Sequence, residues 1–261
     1  MNKLELILEY MRKYQARYLA GEHYNESMEE VGNKAEPEDE IYYFVSALMG
    51  YTDFVKCVTE KNFKIIEQKE LYHGYDKHTH GANFVWDFNF HFGKGEYGQG
   101  TYFSTDYEDA MSFTGGYRRD ETRVLKAKVL PSKIVKYSQL KSLAENKKTD
   151  GINLSDEAIE RYNAIIEFID SLENNDDKAL MNKLLFEHPK NFSALAVLLG
   201  FDIIENDHRP DFFHGKHFII LNRGKLIVSQ KDVKTLLRKS GEKYQGLEFL
   251  TTELSELFEN S

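Results

Sequence analysis

Cysteine is nearly absent from this chain: Cys57 is the only one in 261 residues. A single thiol excludes an intramolecular disulfide and any cysteine-based metal cluster. Cys57 itself is expected on a helix, as a buried small hydrophobe. Long apolar runs are missing as well. No segment approaches the about 20 apolar residues that a membrane span needs. Met1-Asn2-Lys3 opens onto an amphipathic pattern and not an apolar leader. The expectation is folding in the cytoplasm with no membrane partner; secretion by a leaderless injection route stays open. Positive charge is in deficit, with a net charge of −9, which argues against non-specific binding to long nucleic acid. Tyr117-Arg118-Arg119 with Arg123, and Lys234 to Lys243 with Arg238, are local basic stretches that read first as solvated faces.

Several catalytic signatures are also missing. No Gly-x-x-x-x-Gly-Lys-Ser/Thr occurs, and Gly93-Lys94-Gly95 lacks the strand-to-helix context of a phosphate loop. No βαβ unit carries Gly-x-Gly-x-x-Gly with an acidic residue about 20 positions on, which excludes the usual nicotinamide dehydrogenase. A Gly-x-Ser-x-Gly elbow is absent. His73, His78, His80 and His91 lie close in sequence. On a strand, however, His78 and His80 would flank Thr79 without a cysteine or a well-spaced carboxylate to complete a tetrahedral set, so no metal is expected.

What remains is enough for a core, at 41% hydrophobic and 13% aromatic residues. Leu4, Ile7, Leu8, Met11, Tyr14 and Tyr18 recur at helical spacing, and Ile41, Phe44, Val45, Leu48 and Met49 form a second stripe. Phe54, Val55 and Val58 read as a third. Residues 1–62 are therefore expected as an N-terminal helical lobe. Strands and glycine-rich connections dominate residues 63–230, with Phe63 to Ile66 strand-like and Val124 to Leu130 a strand stopped by Pro131. Residues 138–190 read as a helical insertion, with Ile159, Tyr162, Ile165, Ile166, Ile169 and Leu172 on one face and a second helix over Ala179 to Glu187. The insertion either guards the acceptor side of a site or serves as scaffold. Residues 231–261 are expected as a helical extension carrying Leu247, Leu250, Leu254 and Phe258. The fold class is α+β.

The most informative stretch is Gly98-Gln99-Gly100-Thr101-Tyr102-Phe103-Ser104-Thr105-Asp106. Glycine at 98 and 100 permits a tight turn and a close approach to a ligand. Thr101-Tyr102-Phe103 reads as a β-branched and aromatic strand. Ser104 or Thr105 can cap a following helical turn in which Ala110 and Phe113 share a face. Tyr102 and Phe113 would then present two rings, suited to sandwiching a flat ligand. Upstream stands Leu71-Tyr72-His73-Gly74. Downstream stand Ser193 to Ile204 and Phe218-Ile219-Ile220-Leu221-Asn222-Arg223.

In this order the pieces resemble the NAD-binding half of ADP-ribosyltransferases, in the diphtheria-toxin and poly(ADP-ribose) polymerase-like branch, and more closely the domains of bacterial toxins and phage-associated proteins. The resemblance covers residues 70–135 and 190–230. It implies a split, strongly curved β-core of two small sheets with a nicotinamide cleft, and NAD as substrate without a metal. It gives His73 a ribose hydroxyl and Gly74 the carboxamide of nicotinamide. Tyr102 and Phe113 take the two ring faces, Gly100 belongs to the cofactor-binding strand, and Ser104 either binds the nicotinamide side or caps the next helix.

At the third signature position the chain departs from the family. His217 stands where a catalytic glutamate is often found. Histidine can hydrogen-bond there but carries no fixed negative charge at neutral pH. Glu96, Glu205 and Asp207 are the candidates to bring a carboxylate from elsewhere, although no motif places them. The expectation is a mono-ADP-ribosyltransferase acting on a protein or nucleic-acid acceptor, in the setting of a toxin, a toxin–antitoxin pair with a cognate inhibitor, or phage defence. The alternative is a catalytically degenerate NAD- or partner-binding module on the same fold.

Overall fold

The N-terminal stripe folds as a helix because both ends of its first turn are satisfied. In the computed structural model, α1 spans Lys3–Leu19; the Asn2 side chain accepts from Leu4 N–H and the Glu5 carboxylate accepts from Asn2 N–H. The structure describes residues 2–20, 37–52, 54–74, 97–112, 124–208, 211–233 and 247–249. The chain divides into two units. The first comprises Met1–Gly50, Lys94–Gln99 and Val135–Phe201, and the second Tyr51–Gly93, Gly100–Ile134 and Asp202–Ser261.

The first unit is helical. Leu4, Ile7, Leu8 and Met11 of α1 are buried, and Tyr10 stacks on Phe44 of α2 (Pro37–Leu48) with centroids 3.9 Å apart. Proline at the first position of α2 has no N–H to leave unsatisfied there. The inserted helices follow: α5 (Tyr137–Asn146), α6 (Asp156–Ser171) and α7 (Asn175–Asn182), continued by a π turn over Lys183–Glu187. Ser155 caps α6 by accepting from Ala158 N–H, and Ala158, Tyr162, Ile165 and Ile169 form its buried face. The Tyr162 hydroxyl donates to the Leu143 carbonyl at 2.8 Å, tying α6 to α5. Arg12 donates from Nε to Asp177 at 2.6 Å, and so joins the N-terminal helix to the inserted ones. Every residue of α8 (Phe192–Leu198) is buried.

The second unit holds an open sheet. Its strands are β1 (Val55–Val58), β2 (Leu71–Gly74), β3 (Thr101–Ser104), β4 (Val124–Val129), β6 (Ile203–Asn206), β7 (His217–Ile220), β8 (Leu226–Ser229) and β9 (Leu247–Phe249), in the order β6-β7-β3-β2-β4-β8-β1-β9. A short β5 (Ile134–Lys136) lies where the chain passes from the second unit to the first. Pairings are antiparallel from β6 to β8, whereas β1 runs parallel to both β8 and β9. Two short helices accompany the sheet, α3 (Glu60–Ile65) and α4 (Tyr107–Ser112). One face buries Val55, Cys57, Leu71, Phe103, Leu125, Ala127, Ile203, Ile220, Leu226 and Val228.

Mixed α and β structure with an open sheet agrees with the α+β expectation at that level. The details correct it in four places. The two separate small sheets are instead one sheet, although the register joins β2 to β3 through a single pair, Tyr72↔Ser104. Val55–Val58 is a strand and not a helix, and Cys57 lies on it, fully buried. A parallel strand covered on both faces lacks the alternation that marks a half-exposed one. Phe63 to Ile66 is not a strand: Thr59 caps α3 by accepting from Asn62 N–H at 3.3 Å. Leu247–Phe249 pairs with β1 as a strand, where a helix was expected. Leu250, Leu254 and Phe258 lie outside the described residues.

Candidate active site

Strand β3 is the centre of the candidate site, because its neighbours are β2 on one side and β7 on the other. His73–Gly74, Tyr102–Ser104 and His217 therefore stand on three adjacent strands. Cross-strand pairing sets Ser104 opposite both Tyr72 and His217, and Tyr102 opposite Ile219. Paired residues share a face of the sheet and alternate residues return to it. Tyr102, Ser104 and His217 thus lie on one face, together with Tyr72. His73 pairs with Leu125 on the other face, and its ring lies 5.3 Å from that of buried Phe103.

His73 and Tyr102 are connected through the backbone: His73 Nδ1–H donates to the Tyr102 carbonyl at 2.6 Å. A carbonyl only accepts, so this bond fixes the proton on Nδ1 and makes Nε2 the acceptor nitrogen of the neutral ring. Tyr102 and His73 are half-buried, whereas Phe103, on the same face as His73, is 3% exposed. Phe113 lies outside the described residues, as do Glu96, His78, His80 and His91.

The two glycines of the motif have steric reasons of their own. Gly100 has φ +140°, and a Cβ there would stand 2.6 Å from Ile219 Cγ2 and 2.9 Å from the Ile220 carbonyl. Strand β7 fills that side, so the space beside Gly100 is taken by the sheet. Gly98, with φ +126°, is closed off by the Ser193 hydroxyl, which donates to the Gln99 carbonyl at 2.6 Å.

Ser104 is engaged on two sides. Its Oγ accepts from Asp106 N–H at 3.0 Å and donates to Asp109 Oδ2 at 3.2 Å. The cap of α4 is neither Ser104 nor Thr105 but Asp106, whose Oδ1 accepts from Asp109 N–H at 2.9 Å. The helix begins there because that side chain satisfies an otherwise orphaned N–H.

Asp109 is the functional candidate that motif reading did not find. It is 4% exposed and gathers four donors: His214 N–H at 3.1 Å, Gly215 N–H at 2.7 Å, Ser104 Oγ, and His217 Nε2 at 3.3 Å. Burial works against its charge, yet the His214 and Gly215 amides, then His217 and Ser104, outweigh it and hold the carboxyl below the ordinary aspartate value. Gly215 fits this corner because a Cβ would meet Asp106 and the Ser104 hydroxyl at 2.6 Å. The sequence carried one usable signal. Asp109 stands on the same turn as the apolar residues Ala110 and Met111, both buried.

The other carboxylates weighed for the third position are placed differently. Glu205 pairs with Lys216 at 2.7 Å; Asp207 is exposed beyond the end of β6. The ring of Phe213 lies 4.5 Å from that of His217, and Phe212 beside it is 72% exposed.

Comparison with protein-family models, with curated proteins and with solved structures returned no match. Fold and site define a mixed α/β protein in which a helix aspartate, Asp109, meets a histidine of the open sheet, His217, beside a tyrosine-bearing strand. Among the described residues no helix is long and apolar enough to cross a membrane.

Proposed function

We propose that this chain is an NAD-dependent mono-ADP-ribosyltransferase. The observation that carries the reading is the adjacency of β2, β3 and β7, which brings His73-Gly74, Tyr102 and His217 to neighbouring strands, Tyr102 and His217 on one face and His73 on the other. The hydrogen bond from His73 to the Tyr102 carbonyl supports it, since it fixes the ring of the first motif strand against the second. In the reaction, the bond between the ribosyl carbon and the nicotinamide nitrogen breaks. Its electron pair leaves with nicotinamide, whose pyridinium becomes neutral, while positive charge develops on the ribosyl carbon. A lone pair from the acceptor closes the new bond, and the acceptor gives up a proton. Tyr102 would stack on the nicotinamide and Gly74 would hold its carboxamide, with Phe113 as the second wall.

The acceptor is a protein side chain or a nucleic acid, and the proposed setting is a toxin, a toxin–antitoxin pair with a cognate inhibitor, or phage defence. Incubation with labelled NAD and whole lysate, followed by protease or nuclease digestion, tests both transfer and acceptor. Label that survives protease and disappears with ribonuclease assigns RNA; the reverse assigns protein. Absence of label with intact NAD sinks the reading.

His217 in place of a carboxylate favours a second reading, a non-catalytic NAD- or partner-binding module. Retained NAD binding without nicotinamide release, with and without cell extract, decides for it.

A further inference from the structure

The third signature position holds an imidazole, but the imidazole does not stand alone. Its Nε2 lies 3.3 Å from Asp109 Oδ2, and His217 and Asp109 are 7% and 4% exposed. A carboxylate has no proton to give, so Nε2 carries the hydrogen and Nδ1 becomes the acceptor nitrogen of the neutral ring. With the ring neutral, the pair bears one negative charge, set one ring's width from Nδ1. Asp109 is prevented from turning away by the His214 and Gly215 amides, one on each carboxylate oxygen. Those amides belong to the segment that leads into β7, so the same contacts fix where His217 starts.

We propose that Asp109 is a positioning residue for His217: it sets the ring tautomer and supplies, through the ring, the negative charge that a carboxylate at position 217 would supply directly. This rests on the transferase reading above. As nicotinamide departs, the ribosyl carbon becomes positive, and a fixed charge in a water-poor corner stabilises that change more than it would in water. The arrangement differs from a serine–histidine–aspartate relay, because Ser104 donates to Asp109 and not to His217.

The test joins nitrogen NMR of histidine-labelled protein to nicotinamide-release kinetics, on wild type and Asp109→Asn. In Asp109→Asn one carboxylate oxygen becomes an amide NH2, which faces a backbone N–H donor whichever way the side chain turns. The expected results are an Nε2–H tautomer for His217 in wild type and a shift toward Nδ1–H in the variant. The variant's kcat should fall on the order of 100-fold, as for a misplaced reacting group, while KM for NAD stays within about threefold. An Nδ1–H tautomer in wild type overturns the proposal, and so does a variant whose kcat is within about threefold of wild type. If the variant does not fold, the wild-type tautomer decides in either direction. If wild type releases no nicotinamide, the transferase reading fails, and the tautomer and its response to the substitution still judge whether Asp109 positions His217.

Discussion

Replacing Gly100 by alanine tests whether the motif glycine is required by the sheet. Its φ of +140° lies where side chains other than hydrogen are strained, a cost of about 1–3 kcal/mol. The added methyl would also meet Ile219 Cγ2 at 2.6 Å and the Ile220 carbonyl at 2.9 Å. Both belong to the central ladder, where neither neighbour is the loose end of a long side chain, and overpacking of this kind costs about 1–3 kcal/mol. The total is about 2–6 kcal/mol. Gly151→Ala is the matched control: φ is +78° and nothing lies within 4 Å of the new methyl, so only backbone strain of about 1–2 kcal/mol should remain. Urea denaturation followed by far-ultraviolet circular dichroism measures both. If Gly100→Ala costs no more than Gly151→Ala, the steric argument is refuted, and the role of Gly100 must be sought in a ligand. Where the variant stays folded, a displaced β3 should weaken nicotinamide release more than the stability change explains.

Tyr102→Ala should weaken nicotinamide positioning by about 1–3 kcal/mol, with Tyr102→Phe milder, while both stay folded by circular dichroism; an unfolded Tyr102→Ala would make the ring an ordinary core residue. Lys128, 6% exposed, donates from Nζ to the Phe63 carbonyl at 2.9 Å and the Ile66 carbonyl at 2.6 Å. Lys128→Met keeps the stem but strands those carbonyls, and should lower the unfolding free energy by about 2–4 kcal/mol; an unchanged urea midpoint would show the carbonyls to be satisfied otherwise. Because the folded Asp109 carboxyl sits below its ordinary value, its contribution is present above the unfolded value near 3.9 and is lost as pH falls through the lower folded value. The urea midpoint should therefore drop below about pH 4, and Asp109→Ala should flatten that drop. An equally steep drop in the variant would assign the effect to other carboxylates.

Amphipathic periodicity made the helices legible: of the apolar positions their spacing marks, α1 buries Leu4, Ile7, Leu8 and Met11, and α6 buries Tyr162, Ile165 and Ile169. Strands β3 and β7 were legible because β-branched and aromatic residues dominate them, and β4 because Pro131 stops the run from Val124 to Leu130. Strand β1 was not, since Val55, Cys57 and Val58 are all buried and leave no alternation to read. For α3 the apolar residues Phe63, Ile65 and Ile66 suit either state, and the Thr59 cap decides. The site was half legible. His73, Tyr102 and His217 stand on motif strands, but Asp109 meets His217 across 108 residues of chain, a separation that no local pattern encodes. Ordinary turn chemistry also hid its partner glycine, Gly215, whose neighbours are Asp106 and Ser104.

Ser104 combines duties that elsewhere are spread over several residues. Its backbone pairs with Tyr72 on one side and with His217 on the other, and its hydroxyl serves both Asp106 and Asp109. For anyone redesigning this protein, position 104 is consequently a poor place to diversify. A library there would report mostly on whether the two halves of the sheet still meet, and its survivors would be enriched for small hydroxyl side chains irrespective of the ligand used in selection. Tyr102, two residues along the same face and half-exposed, offers the better handle, because its ring can be exchanged without touching the pairing that holds the strands together.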